Sequence, residues 1–173
     1  MTRGRLRNIT PALLALGALA LPAGAALNAQ AKSAVDPYWM SLRDDEANMR
    51  TGPRATYPIK WVYKRKHMPL KVVGEDSVWR KVEDIDGDQG WIHVKLLSRE
   101  RTAVVTGEDA AAMMDARSAS AHVNWRAEPG VVGKITECSA NFCLFDVAGR
   151  MGYIDRAAIW GDEPLKGEEA EED

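Results

Sequence analysis

The chain has 173 residues, with 23 basic against 25 acidic side chains, a formal net charge of −2 and only two cysteines. So even a balance excludes the strongly basic footprint of a nucleic-acid-binding protein. The length leaves room for one domain or two small ones.

The first 31 residues have the order of a secretory signal peptide. Arg3, Arg5 and Arg7 lead into the uncharged run "PALLALGALAL" (Pro11 to Leu21), and Pro22 with the small residues of "AGAALNAQA" follows. The run is too short to span a bilayer, which needs about 20 residues. Cleavage is expected near Ala25, Ala29 or Ala31, because Ala23-Gly24-Ala25 and Ala29-Gln30-Ala31 both offer small residues in the required places. No cysteine stands there for lipid attachment and no twin arginine precedes the run, so the expectation is an exported, periplasmic or secreted protein without a transmembrane anchor. Loss of the leader's three arginines leaves 20 basic against 25 acidic residues.

The remainder repeats itself. A shift of about 63 residues lays Met49 on Met113, Trp61 on Trp125, Trp79 on Phe142, and "GWI" (Gly90 to Ile92) on "GYI" (Gly152 to Ile154). Two units follow, over 37–100 and 101–161. In the first, "KWVYKRK", "PLKVVGE", "VWRKVED" and "GWIHVKLL" are short β-prone runs. Pro, Gly, Asp and Ser clusters separate them every 8 to 12 residues or so, the spacing of a small β-barrel or sandwich. Five or so strands per unit are expected. "EDAAAMMDA" (Glu108 to Ala116) shows some helical periodicity but falls on "DDEANMR" of the first unit, and is read as strand and turn. Trp39, Trp61, Trp79 and Trp91 supply much of the area that so small a unit needs to bury.

"NMRTGPRATYPI" (Asn48 to Ile59) resembles the Asn-x-Arg-x-Gly-Pro block that opens bacterial SH3 domains. "W-x-x-V" (Trp79 to Val82) and "G-W-I" fall where that family has its later strands. The second unit keeps "F-C-L-F" (Phe142 to Phe145) and "G-Y-I", while its opening block has decayed to "MMDARSASAHV". The leader plus paired units is similar to exported proteobacterial SH3-domain proteins. The resemblance implies an all-β protein of two tandem SH3-like barrels, the second degenerate, with no catalytic machinery and no cofactor. It also implies binding to a cell-wall fragment, a peptide or an envelope protein. Asn48, Arg50, Gly52, Pro53, Trp79, Gly90 and Trp91 form its structural signature.

Ligand-binding candidates lie in the first unit. Flat aromatic rings accept prolines, peptides or sugar faces at low entropic cost. Tyr57, in a Pro-flanked loop, is expected to be the most exposed ring, with Trp61 next and Tyr63 also a candidate; Trp79 and Trp91 are expected to be buried. Lys64, Arg65 and Lys66, with His67, form a basic run. It reads most simply as a solvated edge, and alternatively as a contact for an anionic polymer.

Other chemistries find no support. His67, His93 and His122 are scattered, and no nucleophile–base or phosphate-binding pattern occurs. "VEDIDGDQGWIH" (Val82 to His93) brings together Asp84, Asp86 and Asp88, but a calcium loop beginning at Asp84 would have Gln89 at its sixth position and Lys95 at its twelfth, where glycine and glutamate belong. A tight hairpin at Asp86-Gly87 with solvated aspartates fits better. Cys138 and Cys143 flank four residues and are expected to bridge a hairpin in an oxidising compartment; no metal site is expected. The last stretch, "DEPLKGEEAEED" (162–173), carries seven acids and one lysine and is read as a disordered, solvated tail.

Overall fold

The computed structural model describes residues 35–163. The expected leader over 1–31, and the expected tail beyond residue 163, lie outside the described residues. Within them the chain is all-β, in two sheets joined by the short segment Arg99 to Arg101. The first sheet holds β1 (Tyr38–Leu42), β2 (Ala47–Arg50), β3 (Ile59–Tyr63), β4 (Pro69–Asp76), β5 (Trp79–Glu83), β6 (Gln89–His93) and β7 (Leu97–Ser98). The second holds β8 (Thr102–Val105), β9 (Ala111–Met114), β10 (Val123–Ala127), β11 (Val132–Cys138), β12 (Phe142–Val147), β13 (Arg150–Asp155) and β14 (Ile159–Trp160).

The two sheets have the same topology. Their orders are β3-β2-β6-β5-β4-β1-β7 and β10-β9-β13-β12-β11-β8-β14, strand for strand. The repeat read from the sequence is also kept at the level of individual pairs. Met49 opposes Trp61 as Met113 opposes Trp125, and Val82 opposes Gly90 as Phe145 opposes Gly152. Each sheet has seven strands rather than about five. The additions are β1 and β8, with their short partners β7 and β14. β1 is buried over four of its five residues, so it lacks the alternation by which a strand is recognised.

Each unit closes around its own core. Leu42, Met49, Leu70, Val72, Val82 and Ile92 fill the first; Val105, Met113, Ile135, Phe145 and Ile154 fill the second. The cores conserve volume by exchange. Where the first unit has Leu70 and Val82, the second has Gly133 and Phe145, and a Cβ on Gly133 would stand 2.7 Å from the Phe145 ring. Large and small residues have traded places across the core, a substitution that packing tolerates when total volume is kept.

The Gly-aromatic-Ile motif shared by both units also has a packing cause. Gly90 points inward, where a Cβ would meet Met49 Cγ at 2.4 Å and the Arg50 carbonyl at 2.9 Å. Ile92 points inward beside it, and Trp91 therefore points outward. Trp79 likewise shares the outer face, opposite His93, with their rings edge-on at 5.3 Å. Both tryptophans are half-buried, against the expectation of core positions. Strand alternation gives the inward places to Val82 and Ile92, and the two rings instead shield the sheet's outer surface.

Cys138 and Cys143 are disulfide-bonded, facing each other across the β11–β12 hairpin with Cα atoms 4.0 Å apart. Asp162 and Glu163, expected to belong to the solvated tail, are instead held. Asp162 is bonded to Arg156 at 2.5 Å and Glu163 to Lys71 at 2.8 Å.

Candidate functional site

The opening signature block builds the loop between β2 and β3. Thr51 N–H donates to the Pro58 carbonyl at 3.0 Å and the Arg50 guanidinium to the Tyr57 carbonyl at 2.8 Å. The Tyr57 ring lies on Gly52, where any Cβ would come within 2.6 Å of it. Gly52 is thus glycine because the ring occupies its side-chain space. Tyr57 is 43% exposed on its outer face.

Past this loop, β3 runs as the end strand of its sheet. Ile59, Lys60, Trp61 and Val62 are exposed, and Trp61 at 58% is more open than Tyr57, reversing their expected order. Tyr63 is the exception. It is buried, 7% exposed, and packs with the first core, while its remaining surface lines the groove described below. Its hydroxyl donates to Asp84 Oδ2 at 2.7 Å. Burial pushes this hydroxyl well above its usual value, and the hydrogen bond to Asp84 adds to the rise.

Asp84 is the organiser of the β5–β6 turn, not a solvated aspartate. Besides the Tyr63 hydroxyl it accepts from the backbone N–H of Asp86 at 3.2 Å and of Asp88 at 2.9 Å. Its carbonyl accepts from Gly87 N–H at 3.0 Å, and Gly87 has φ +81° while Asp86 does not have a positive φ. The turn is therefore a three-residue loop, Ile85-Asp86-Gly87, ending in a left-handed glycine, instead of a two-residue turn at Asp86-Gly87. Asp86 and Asp88 project from it and are exposed; Asp88 pairs with Lys60 at 2.8 Å.

Beyond β3, the basic run is divided. Lys64 and Lys66 are exposed, but the Arg65 guanidinium donates to the Gly130 carbonyl of the second unit. His67 Nδ1 lies 2.9 Å from Glu100 of the connecting segment, and Lys134 of the second unit lies 2.6 Å from the other oxygen of the same carboxylate. The run is thus exposed over Lys64 to Lys66, while Arg65 and the half-buried His67 also tie the units together. Trp39 and Trp160 add an edge-on ring contact between the units, centroids 4.7 Å apart.

This arrangement leaves a groove of about 720 Å³ between the units. Trp61, Val62, Lys64 and Arg65 line one wall, the Asp84–Asp88 turn one end, and Val104 to Gly107 with Pro129 and Gly130 the far wall. Sequence reasoning found Trp61, Tyr63, Lys64 and Arg65. It missed the contribution of the second unit, because the pairing of Pro129-Gly130 with Arg65 is a contact between distant segments with no local signal. Among the described residues no group of His, Cys, Asp or Glu is placed to hold a metal, and no helix is long and apolar enough to cross a membrane.

The model of the bacterial SH3 domain matches residues 43–99 and again 107–161. The chain belongs to the bacterial SH3 domain family. Both units are SH3-like, including the second, whose opening block is degenerate. A search of curated proteins finds no match. Among solved structures, the SH3-like chain is similar to NlpC2 and NlpC1 of Trichomonas vaginalis, at 12% and 13% identity and TM-scores of 0.32 and 0.33. These matches cover 72% and 71% of this chain but 48% and 45% of theirs. A Listeria monocytogenes chain described as an autolysin is 13% identical with a TM-score of 0.30, over 74% of this chain and 63% of that one. The chain thus spans about half the length of the NlpC proteins, and likenesses so distant say nothing of shared chemistry.

Proposed function

We propose that this SH3-domain protein is an exported, non-catalytic binding module that recognises cell-wall material in the envelope through the groove at Trp61. The observation that carries the reading is the exposure of Trp61. Its ring stands 58% open at the mouth of an apolar groove, although the second unit packs close by and could have covered it. A protein that merely stacked two barrels for stability would gain by burying this ring, at about 25 cal/mol per Å² of apolar area. Leaving it in solvent makes sense if a ligand buries it instead. Bacterial SH3 domains commonly bind wall material, and an internal disulfide suits a chain that folds in an oxidising compartment.

A second reading, an accessory envelope protein in which one unit braces the other, takes its support from the Trp39–Trp160 contact and the shared Glu100 carboxylate. The two are compatible, since the bracing contacts hold the far wall of the groove in place. The test is sedimentation of the purified protein with isolated cell wall. The protein should pellet with the wall, and Trp61→Ala should remain in the supernatant. Equal distribution of the unaltered protein with and without wall would end the wall-binding reading.

A further inference from the structure

The groove is charged asymmetrically along β3, and the asymmetry has a length. At one end Asp86 and Asp88 border it, with Asp88 fixed beside Lys60 at 2.8 Å. At the other end Lys64 and Arg65 border it. Lys60 and Lys64 are four residues apart, which at the rise of an extended strand is about 13 Å. Trp61 and Val62 lie between the two ends and present apolar surface to the groove.

We infer that the groove takes a short extended peptide of about four residues with both ends free, its amino group at Asp86 and Asp88 and its carboxylate at Lys64 and Arg65. Four extended residues span about 13 Å from the first nitrogen to the last carboxylate. The ligand's charges then meet opposite charges at both ends, and its middle lies on the Trp61 ring. The end strand β3, bonded to β2 on its inner side, offers its outer backbone edge to the same chain by strand addition. The Lys60–Asp88 pair is no obstacle, since it is exposed on both sides and a surface ion pair holds its carboxylate only weakly. A neutral glycan satisfies neither charged end. This inference rests on the groove being the binding site proposed above, and it selects the peptide part of a wall fragment over the sugar.

The probes are tetra-alanine with free ends, its N-acetylated form, its C-terminal amide, and the neutral tetrasaccharide of N-acetylglucosamine, followed by calorimetry or tryptophan fluorescence with the full chain. Tetra-alanine is expected to bind, with loss of about tenfold on blocking either end. The Asp86→Asn/Asp88→Asn variant should lose the penalty for N-acetylation alone, and Lys64→Gln should weaken the penalty for amidation alone. Di-alanine, too short to reach both ends, should bind no better than a blocked tetramer. Equal affinity for free and blocked peptides overturns the inference, as does binding of the tetrasaccharide in place of the peptides. The latter result leaves wall binding intact. Wall sedimentation without binding of any peptide likewise overturns only the inference, whereas loss of sedimentation ends the reading beneath it.

Discussion

Trp61 and Trp125 occupy the same place in two copies of one fold, each opposite a methionine in the adjacent strand, yet only one stands open to solvent. Trp61 stands open beside the groove, whereas Trp125 is half-buried beneath Arg150, whose guanidinium carbon is 4.4 Å from the ring centroid. The indole N–H of Trp125 also points to the Met151 carbonyl at 3.5 Å. The neighbouring turns explain the difference. The first unit has the loop that Asp84 organises, with two exposed carboxylates. The second has a two-residue turn, Ala148-Gly149, with φ values of +54° and +90°, which brings Arg150 next to the ring. The fold is thus held constant while the turn decides whether its tryptophan stands open to solvent or is covered.

The sharpest way to break this comparison is to remove each ring. Trp61→Ala should reduce wall binding by tenfold or more, the loss expected when an aromatic anchor is truncated, with little change in stability. Trp125→Ala should leave binding unchanged within twofold, and cost stability through the lost packing and the lost cation–π contact, about 1–2 kcal/mol. Pelleting assays and denaturant melts on both variants measure this. Equal binding losses would mean that the two rings are used alike and that the covering by Arg150 is incidental.

The turn itself is the next target. Asp84→Asn removes the charge that three donors share, and should cost about 2–3 kcal/mol, because hydrogen bonds to an ionised buried acceptor are the stronger ones. In the second unit, where Val147 stands at the place of Asp84, the turn has only an exposed cap from Asp146 on Gly149 N–H, and Asp146→Asn should cost well under 1 kcal/mol. Urea melts of the two variants give the ratio directly. Somewhat smaller is the effect of the one covalent feature that only the second unit has. Replacing Cys138 and Cys143 with serine should cost about 2 kcal/mol by the loop-entropy relation. Binding at Trp61, in the other unit, should be kept.

Much of this was legible in the sequence, and what was not has a physical pattern. The repeat, the strands, the hairpin disulfide and the family could be read because each rests on local spacing or on residues that recur at a fixed interval. The exposure of Trp61 was expected, but behind that of Tyr57, and the order is the reverse. The features misjudged at the site share a cause. Trp79 and Trp91 look like core residues by size, but alternation assigns the inward places to Val82 and Ile92. Tyr63 and Asp84 each look like surface groups, and become buried only because they satisfy each other across 21 residues. Arg65 is exposed as expected, but it also donates to the carbonyl of Gly130, 65 residues away. A single chain read in order offers no sign of such partners, and the groove is built from them.

The Tyr63–Asp84 pair provides the finest distinction between the units, since the second unit has Ala127 near the end of β10 where the first has Tyr63 at the end of β3. Tyr63→Phe keeps the ring in the core but leaves Asp84 one donor short, which should cost about 1–1.5 kcal/mol at neutral pH. The consequence at high pH runs the other way. Burial, and then the hydrogen bond to Asp84, raise the pKa of the Tyr63 hydroxyl above its unfolded value near 10.0. Folding therefore favours the neutral phenol, and this contribution is complete below pH 10 or so and is lost as the pH climbs through the folded value. Stability measured from pH 8 to 11.5 should fall more steeply for the unaltered protein than for Tyr63→Phe, so that the two curves converge. Parallel curves would show that the hydroxyl ionises as readily in the folded chain as in the unfolded one, and that the pair is open to solvent.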